Sequence, residues 1–187
     1  MAIIMIISIL QSKNKEDICL TSEAVSILVQ NHHTILVEGE ANRQNLKNYL
    51  NVGAYIINAK EELLARGDVI IKKTEPKIKE IDYLNGENKI FVTKIKPYHQ
   101  NLFNKILEHK ISIISYRHLK GFRKEIVNIN VKVEFSNYIL PFLLSLADKG
   151  LKALVDDEKL RQALLIMHGK VYNNKLAALY KMPCYEF

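Results

Sequence analysis

The sequence predicts an α/β fold: a single three-layer domain with a central, mostly parallel sheet covered by helices on both faces. Three observations predict it. Short apolar runs recur along the chain, separated by amphipathic stretches of helical length, which is the pattern of βαβ units. The runs are apolar at successive positions rather than alternate ones, as strands covered on both faces must be. The chain has 187 residues, 48% of them hydrophobic and 25% charged, so it can bury its own core without disulfide or metal staples.

Residues 3–10 read as the first strand, and 14–17 as a polar loop. Thr21 precedes apolar positions Val25, Leu28 and Val29, so a capped helix is expected to run to Gln30. Thr34–Val37 is a second buried strand, ended by Glu38-Gly39-Glu40. Residues 43–51 suit a short helix, with Leu46 and Leu50 at i, i+4. Tyr55–Ile57 is a strand, Lys60–Arg66 a helix closed by Gly67, and Asp68–Lys72 a strand. Lys89–Thr93, a helix from Tyr98 to His109 and strand Ile111–Ser115 continue the alternation. The pattern then changes. Val127, Ile129, Val131, Val133 and Phe135 alternate with polar residues, which predicts a half-wet strand at a sheet edge. Ser136-Asn137 is expected to cap a long helix, with Pro141 tolerated only in its first turn. Gly150 ends that helix, Asp156–Glu158 start another, and a short helix covers Asn174–Tyr180. These runs predict about five to seven strands.

Several chemistries are excluded. The seven glycines never stand within two positions of each other, so no GxG, GxGxxG or P-loop exists. No nucleotide cofactor is expected to bind. Adjacent His32 and His33 point apart, and His99, His109, His118 and His168 are isolated, so no metal site is expected. No GxSxG is present. Cys19, in an apolar run, reads as a small core residue and Cys184 as exposed, a usage that fits a reducing, cytoplasmic setting. No segment is long enough to span a membrane. The net charge is +7, with lysines crowded over 72–124. Acidic residues are interspersed and aromatics do not interleave, so the charge reads as a solvated face and nucleic acid is not the expected partner.

Combinations of motifs carry a family resemblance. Asp17-Ile-Cys-Leu-Thr-Ser-Glu-Ala-Val25 resembles R-V-A-L-T-P-x-x-V, and His33–Glu38 resembles the following G-H-x-V-x-V-E. Gly53–Ile57 resembles A-G-A-x-I, Asp68–Pro76 resembles A-D-x-I-x-K-V-K-E-P, and Ile111–Tyr116 resembles T-A-I-A-Y-E. Further on, Ser136–Gly150 resembles T-N-x-T-L-P-Y-x-L-x-L-A-x-K-G, and His168–Val171 and Lys181–Tyr185 resemble N-G-K-V and G-L-P-Y. Together these resemble alanine dehydrogenases and the related transhydrogenase N-terminal domain. The resemblance implies a flavodoxin/Rossmann-like substrate domain over residues 1–187. Its N-terminal part is 1–118 and its C-terminal part 136–187. The junction, 119–135, lies where the family carries its NAD domain, which fits the missing glycine motif.

The positions that carry chemistry in the family depart from it. The arginine that holds the substrate carboxylate matches Asp17, which would repel that anion. The second lysine of K-V-K-E-P matches Thr74, and the family histidine matches Ile95. The resemblance therefore implies a degenerate, catalytically inactive domain, a pseudoenzyme serving as a binding or oligomerisation module. Its expected partners are a second copy or a related dehydrogenase subunit, with room for a small-molecule ligand. The alternative is an alanine-dehydrogenase-type oxidoreductase that borrows NAD from a separate chain, or uses a remnant cleft around Lys72, Thr74, Thr93, Lys94 and Lys96. Any pocket is expected beyond the C-terminal strand ends, near Asp17, Lys72–Thr74 and Thr93–Lys96.

Overall fold

A computed structural model describes residues 4–11, 19–39, 43–84, 86, 88–96, 99–119 and 132–187. Its first half alternates strand and helix where the apolar runs place them. The strands are β1 (Ile6–Ile9), β2 (Thr34–Glu38), β3 (Tyr55–Ile57), β4 (Val69–Ile71), β5 (Ile90–Thr93) and β6 (Ser112–Ser115). Between them run α1 (Ser22–Gln30), α2 (Arg43–Asn51), α3 (Lys60–Arg66), α4 (Ile78–Asp82) and α5 (Gln100–Glu108). Helix α1 starts where its cap predicts: the Thr21 hydroxyl accepts the Ala24 N–H. Helix α2 forms over the expected residues, and among its described side chains Tyr49 is buried while Leu50 is 55% exposed.

The second half contributes α6 (Lys132–Lys149), α7 (Ala153–Asp156), α8 (Glu158–Ala163), β7 (Leu164–Met167), β8 (Lys170–Val171) and α9 (Asn174–Tyr180). All eight strands join one sheet in the order β3-β2-β1-β4-β5-β6-β7-β8. Pairing is parallel from β3 to β6, and β7 and β8 are antiparallel. That is at least one strand more than the apolar runs suggest. The run Leu164–Met167 directly follows a helix and is too short for its period to separate strand from helix. Its place beside β6 decides it. The β7–β8 turn has positive φ at both His168 (48°) and Gly169 (75°), the backbone of a two-residue hairpin turn.

The edge strand expected over 126–135 is corrected. Residues 120–131 lie outside the described residues, and 132–135 are helical, the opening of α6. A strand would place Val133 and Phe135 on one face. Instead Val133 is 57% exposed and Phe135 is buried, because Phe135, Ile139, Phe142, Leu143 and Leu146 form one helical stripe. Ser136 is thus inside the helix rather than its cap, and its hydroxyl accepts the Thr21 N–H at 2.7 Å. Pro141 also lies in the interior of α6. It and Asn137, whose carbonyl it cannot satisfy, both sit on the exposed face, where water can.

The two faces of the sheet carry separate apolar clusters. One joins Ile7, Ile9, Val37, Ile71 and Val92 to α1, α2, α6, α7 and α8. The other joins Leu36, Ile70, Phe91 and Ile113 to α3, α4, α5 and α9. Helix α6 therefore packs on the sheet that the first half builds. A half-buried polar contact, His33 Nε2 to Asp148 Oδ1 at 3.1 Å, ties α6 to the start of β2. Among the described residues, no helix is long and apolar enough to cross a membrane.

Candidate functional site

The chain runs outward from β1 to β2 and β3, then returns to place β4 on the other side of β1. The order reverses between β1 and β4, and the crevice beyond their C-terminal ends is where open α/β sheets bind ligands. Four charged side chains occupy that position. Glu38 ends β2 and is 1% exposed; its Oε2 accepts the Gln11 N–H at 2.8 Å. Lys60 Nζ reaches Glu38 Oε1 at 2.5 Å and Glu80 Oε1 at 3.7 Å. Lys72 Nζ, just past β4, donates to Glu80 Oε2 at 2.5 Å. Glu80 also accepts the Lys77 N–H at 2.8 Å. Two carboxylates and two ammonium groups balance. Burial pushes the Lys72 ammonium below its usual range, and the Glu80 carboxylate partly restores it.

The segment after β4 is pinned residue by residue. Tyr116 donates its hydroxyl to the Lys73 carbonyl at 2.6 Å. Thr93, fully buried at the end of β5, donates to the Thr74 carbonyl at 2.9 Å. Glu75 Oε1 accepts the Lys96 N–H at 2.6 Å, and Glu75 Oε2 lies 2.9 Å from His99 Nδ1. His99 stands at the N-cap of α5 but makes no capping bond with its side chain; its ring turns to Glu75 instead. Beside this pair a cleft of about 540 Å³ opens between residues 75–78 and 99–102. Tyr180 of α9 flanks the pair, its ring stacked on Phe103 at 3.8 Å. Burial, and secondarily the Glu75 charge, push its hydroxyl pKa up.

The sequence-derived site residues are divided by this geometry. Asp17 lies outside the described residues. Lys72 is 5% exposed and paired with Glu80. Thr74 and Thr93 meet each other through the Thr74 carbonyl. Ile95 packs against the second apolar cluster, and Lys96 is exposed, touching Glu75 through its main chain. Lys94 is half-buried next to Thr93. The cleft starts one residue beyond Thr74 and is lined by none of these residues. Glu38, Lys60, Glu80 and the Glu75–His99 pair were not singled out by sequence reasoning. A carboxylate closing a doubly buried strand, as Glu38 does, was the available signal.

The sequence from Leu10 to Thr21 holds no glycine. The first turn of α1 carries the Glu23 carboxylate. Its own N–H, then the Thr21 hydroxyl, hold that carboxyl below its usual pKa. Between the turn Tyr116–His118 and α6 stand only residues 119–131, against at least about 50 residues for a typical domain.

The fold is similar to an L-alanine dehydrogenase structure, with TM-score 0.79 at 12% identity over 95% of this chain and 99% of that one. It is also similar to a transhydrogenase from Sinorhizobium meliloti, with TM-score 0.54 at 16% identity over 64% of this chain. The match spans 36% of the transhydrogenase, about a third of its length. No curated protein matches by sequence. Residues 11–128 match the family described as alanine dehydrogenase/PNT, N-terminal domain, and the chain belongs to that family.

Proposed function

We propose that this chain is a substrate-domain homologue that has lost amino-acid dehydrogenase chemistry and works as a binding and oligomerisation module. The observation that carries the reading is the state of the strand-end cations. Lys72, two residues before the family's chemical position, is buried against Glu80. That leaves a threonine, Thr74, and an apolar residue, Ile95, at the positions matched to the family's lysine and histidine. Glu38 and Lys72, which coincide with letters of the family motifs, hold the buried ion network together. Residues that stabilise the sheet ends are kept; residues that would handle a substrate are replaced.

The module role is supported by the edge of the sheet. Among the described residues β3 pairs only with β2; its own Tyr55 is 62% exposed and Leu50 of α2 is 55% exposed. An open edge with apolar neighbours is suited to pairing with another chain. Two measurements test the reading. Thermal unfolding with and without NAD should give the same midpoint; an upward shift would contradict the loss of nucleotide binding. Sedimentation velocity should show a self-associated species that Tyr55→Lys disperses. A monomer at all concentrations, with no partner co-purifying, would contradict the module role.

A further inference from the structure

We propose that residues 184–187 form a strap that guards one edge of the sheet, so that this chain assembles as a closed pair joined through β3. The pairing through β3 rests on the module reading above; the strap stands on its own contacts. The eight-stranded sheet has two edges, β3 and β8, and they are treated differently. Tyr55, Ile56 and Ile57 of β3 include no charge and no proline, the devices by which a solvent-facing edge resists pairing. β8 is paired on both sides. On one side lies β7. On the other, Val171 forms a parallel bridge with Cys184, and the Tyr185 N–H donates to the Val171 carbonyl at 2.8 Å.

Local structure returns the chain to that edge. Lys181 closes α9 in the left-handed conformation, with φ 51°, and Met182 packs against the second apolar cluster. Ring contacts then hold the strap along β8. The Tyr172 ring lies 6.3 Å from that of Tyr185 and 6.4 Å from that of Phe187. Lys170 Nζ sits 5.0 Å from the centre of the Tyr185 ring. Residues 183–187 are themselves exposed, so the strap is a cover and not a part of the core.

Pairing two copies edge to edge uses one free edge from each. With β8 covered, the free edge is β3 on both copies, so β3 meets β3. The same patch on both sides is a two-fold contact, and it closes at two copies. A two-fold axis normal to the sheet makes the pair antiparallel and centres it on Ile56, with no charged strand residue facing another. With β8 bare, β3 of one copy would meet β8 of the next, and that head-to-tail contact extends without closing. The strap therefore sets the size of the assembly.

The test is sedimentation velocity on the full chain over a range of concentrations. The parent should reach two copies and no more. Tyr185→Pro with Phe187→Ala removes the N–H given to Val171 and one ring of the strap. That variant should form species larger than a pair, growing with concentration. Adding Tyr55→Lys should hold it to two copies joined through β8, a limit that aggregation of unfolded chain would not obey. Tyr185→Phe keeps the backbone bond and the ring, and should sediment as the parent does. A strap variant with native circular dichroism that sediments as the parent overturns the proposal, as does growth that Tyr55→Lys fails to limit. A parent that grows beyond two copies overturns it as well. A parent that is monomeric at every concentration contradicts the module reading, and the β3 pairing with it. The strap is then upheld if its variant associates and overturned if its variant stays monomeric.

Discussion

Lys72 Nζ donates to Glu80 Oε2 across 2.5 Å, and both side chains are almost wholly out of water. The pair lies just beyond the end of β4. It also fixes α4 to the end of β4, two elements joined by the segment that carries Thr74 and Glu75. Removing one member leaves the other charge buried without its counter-ion, which is costlier than removing both.

Glu80→Gln is therefore expected to destabilise the fold by about 3–5 kcal/mol. Adding Lys72→Met should recover most of that loss, since an apolar chain replaces the orphaned ammonium. Urea unfolding of the two variants checks the order. A double variant less stable than Glu80→Gln would show that Lys72 has another essential partner.

Helix α6 gives a second contrast. Phe135 is buried, with its ring edge-on to Tyr116 at 5.1 Å, whereas Val133 is 57% exposed. Phe135→Ala should cost about 3–5 kcal/mol. Val133→Ala should stay within about 0.5 kcal/mol. Similar losses from both would restore the alternating strand.

Alternation misleads here because β and helical periods share some positions. Val127 to Phe135 satisfy a period of two, but of the two described positions, Val133 and Phe135, only Phe135 belongs to the stripe that meets the sheet, and packing selects that stripe. Elsewhere the apolar runs were sufficient: β1 to β6 lie where successive Ile, Leu and Val residues stand, because burial on both faces leaves little ambiguity. β7 was not legible, since Leu164–Met167 continues a helical stretch and becomes a strand only by pairing with β6. The site was less legible than the fold. Lys72 is visible as a residue, but its burial depends on Glu80, eight positions away. His99 stands alone in the sequence and acquires its partner only when the ends of β4 and β5 are brought side by side.

Glu23 supplies a pH-dependent test of the capped start of α1. Its carboxyl is held below its ordinary value of 4.5, first by its own N–H and then by the Thr21 hydroxyl. A depressed carboxylate pKa adds stability above the ordinary value, and that stability is lost as falling pH protonates the folded form. The group is largely solvated, so Glu23→Gln should cost no more than about 0.5 kcal/mol at neutral pH. The difference from the parent chain should vanish in acid, once falling pH has protonated the carboxyl in the folded state as well. Equilibrium unfolding at both pH values reads it. A difference that persists in acid would show that the charge is not its source.

Gly67 tests the tight approach of α3 to β1. A Cβ there would overlap the buried hydroxyl of Ser8, which donates to the Leu63 carbonyl at 2.7 Å. Gly67→Ala should destabilise by about 1–3 kcal/mol. Ser8→Ala combined with it should relieve part of the loss, as measured by thermal unfolding. No relief would place the strain in the backbone rather than at Ser8.

The central claim is that the family fold has been kept and its chemistry lost. The most direct measurement is NADH formation by the purified chain at high concentration with saturating alanine and NAD. The account predicts no NADH above the protein-free rate. Formation of NADH in proportion to protein, abolished by substitution at Thr74 or Lys72, would contradict it.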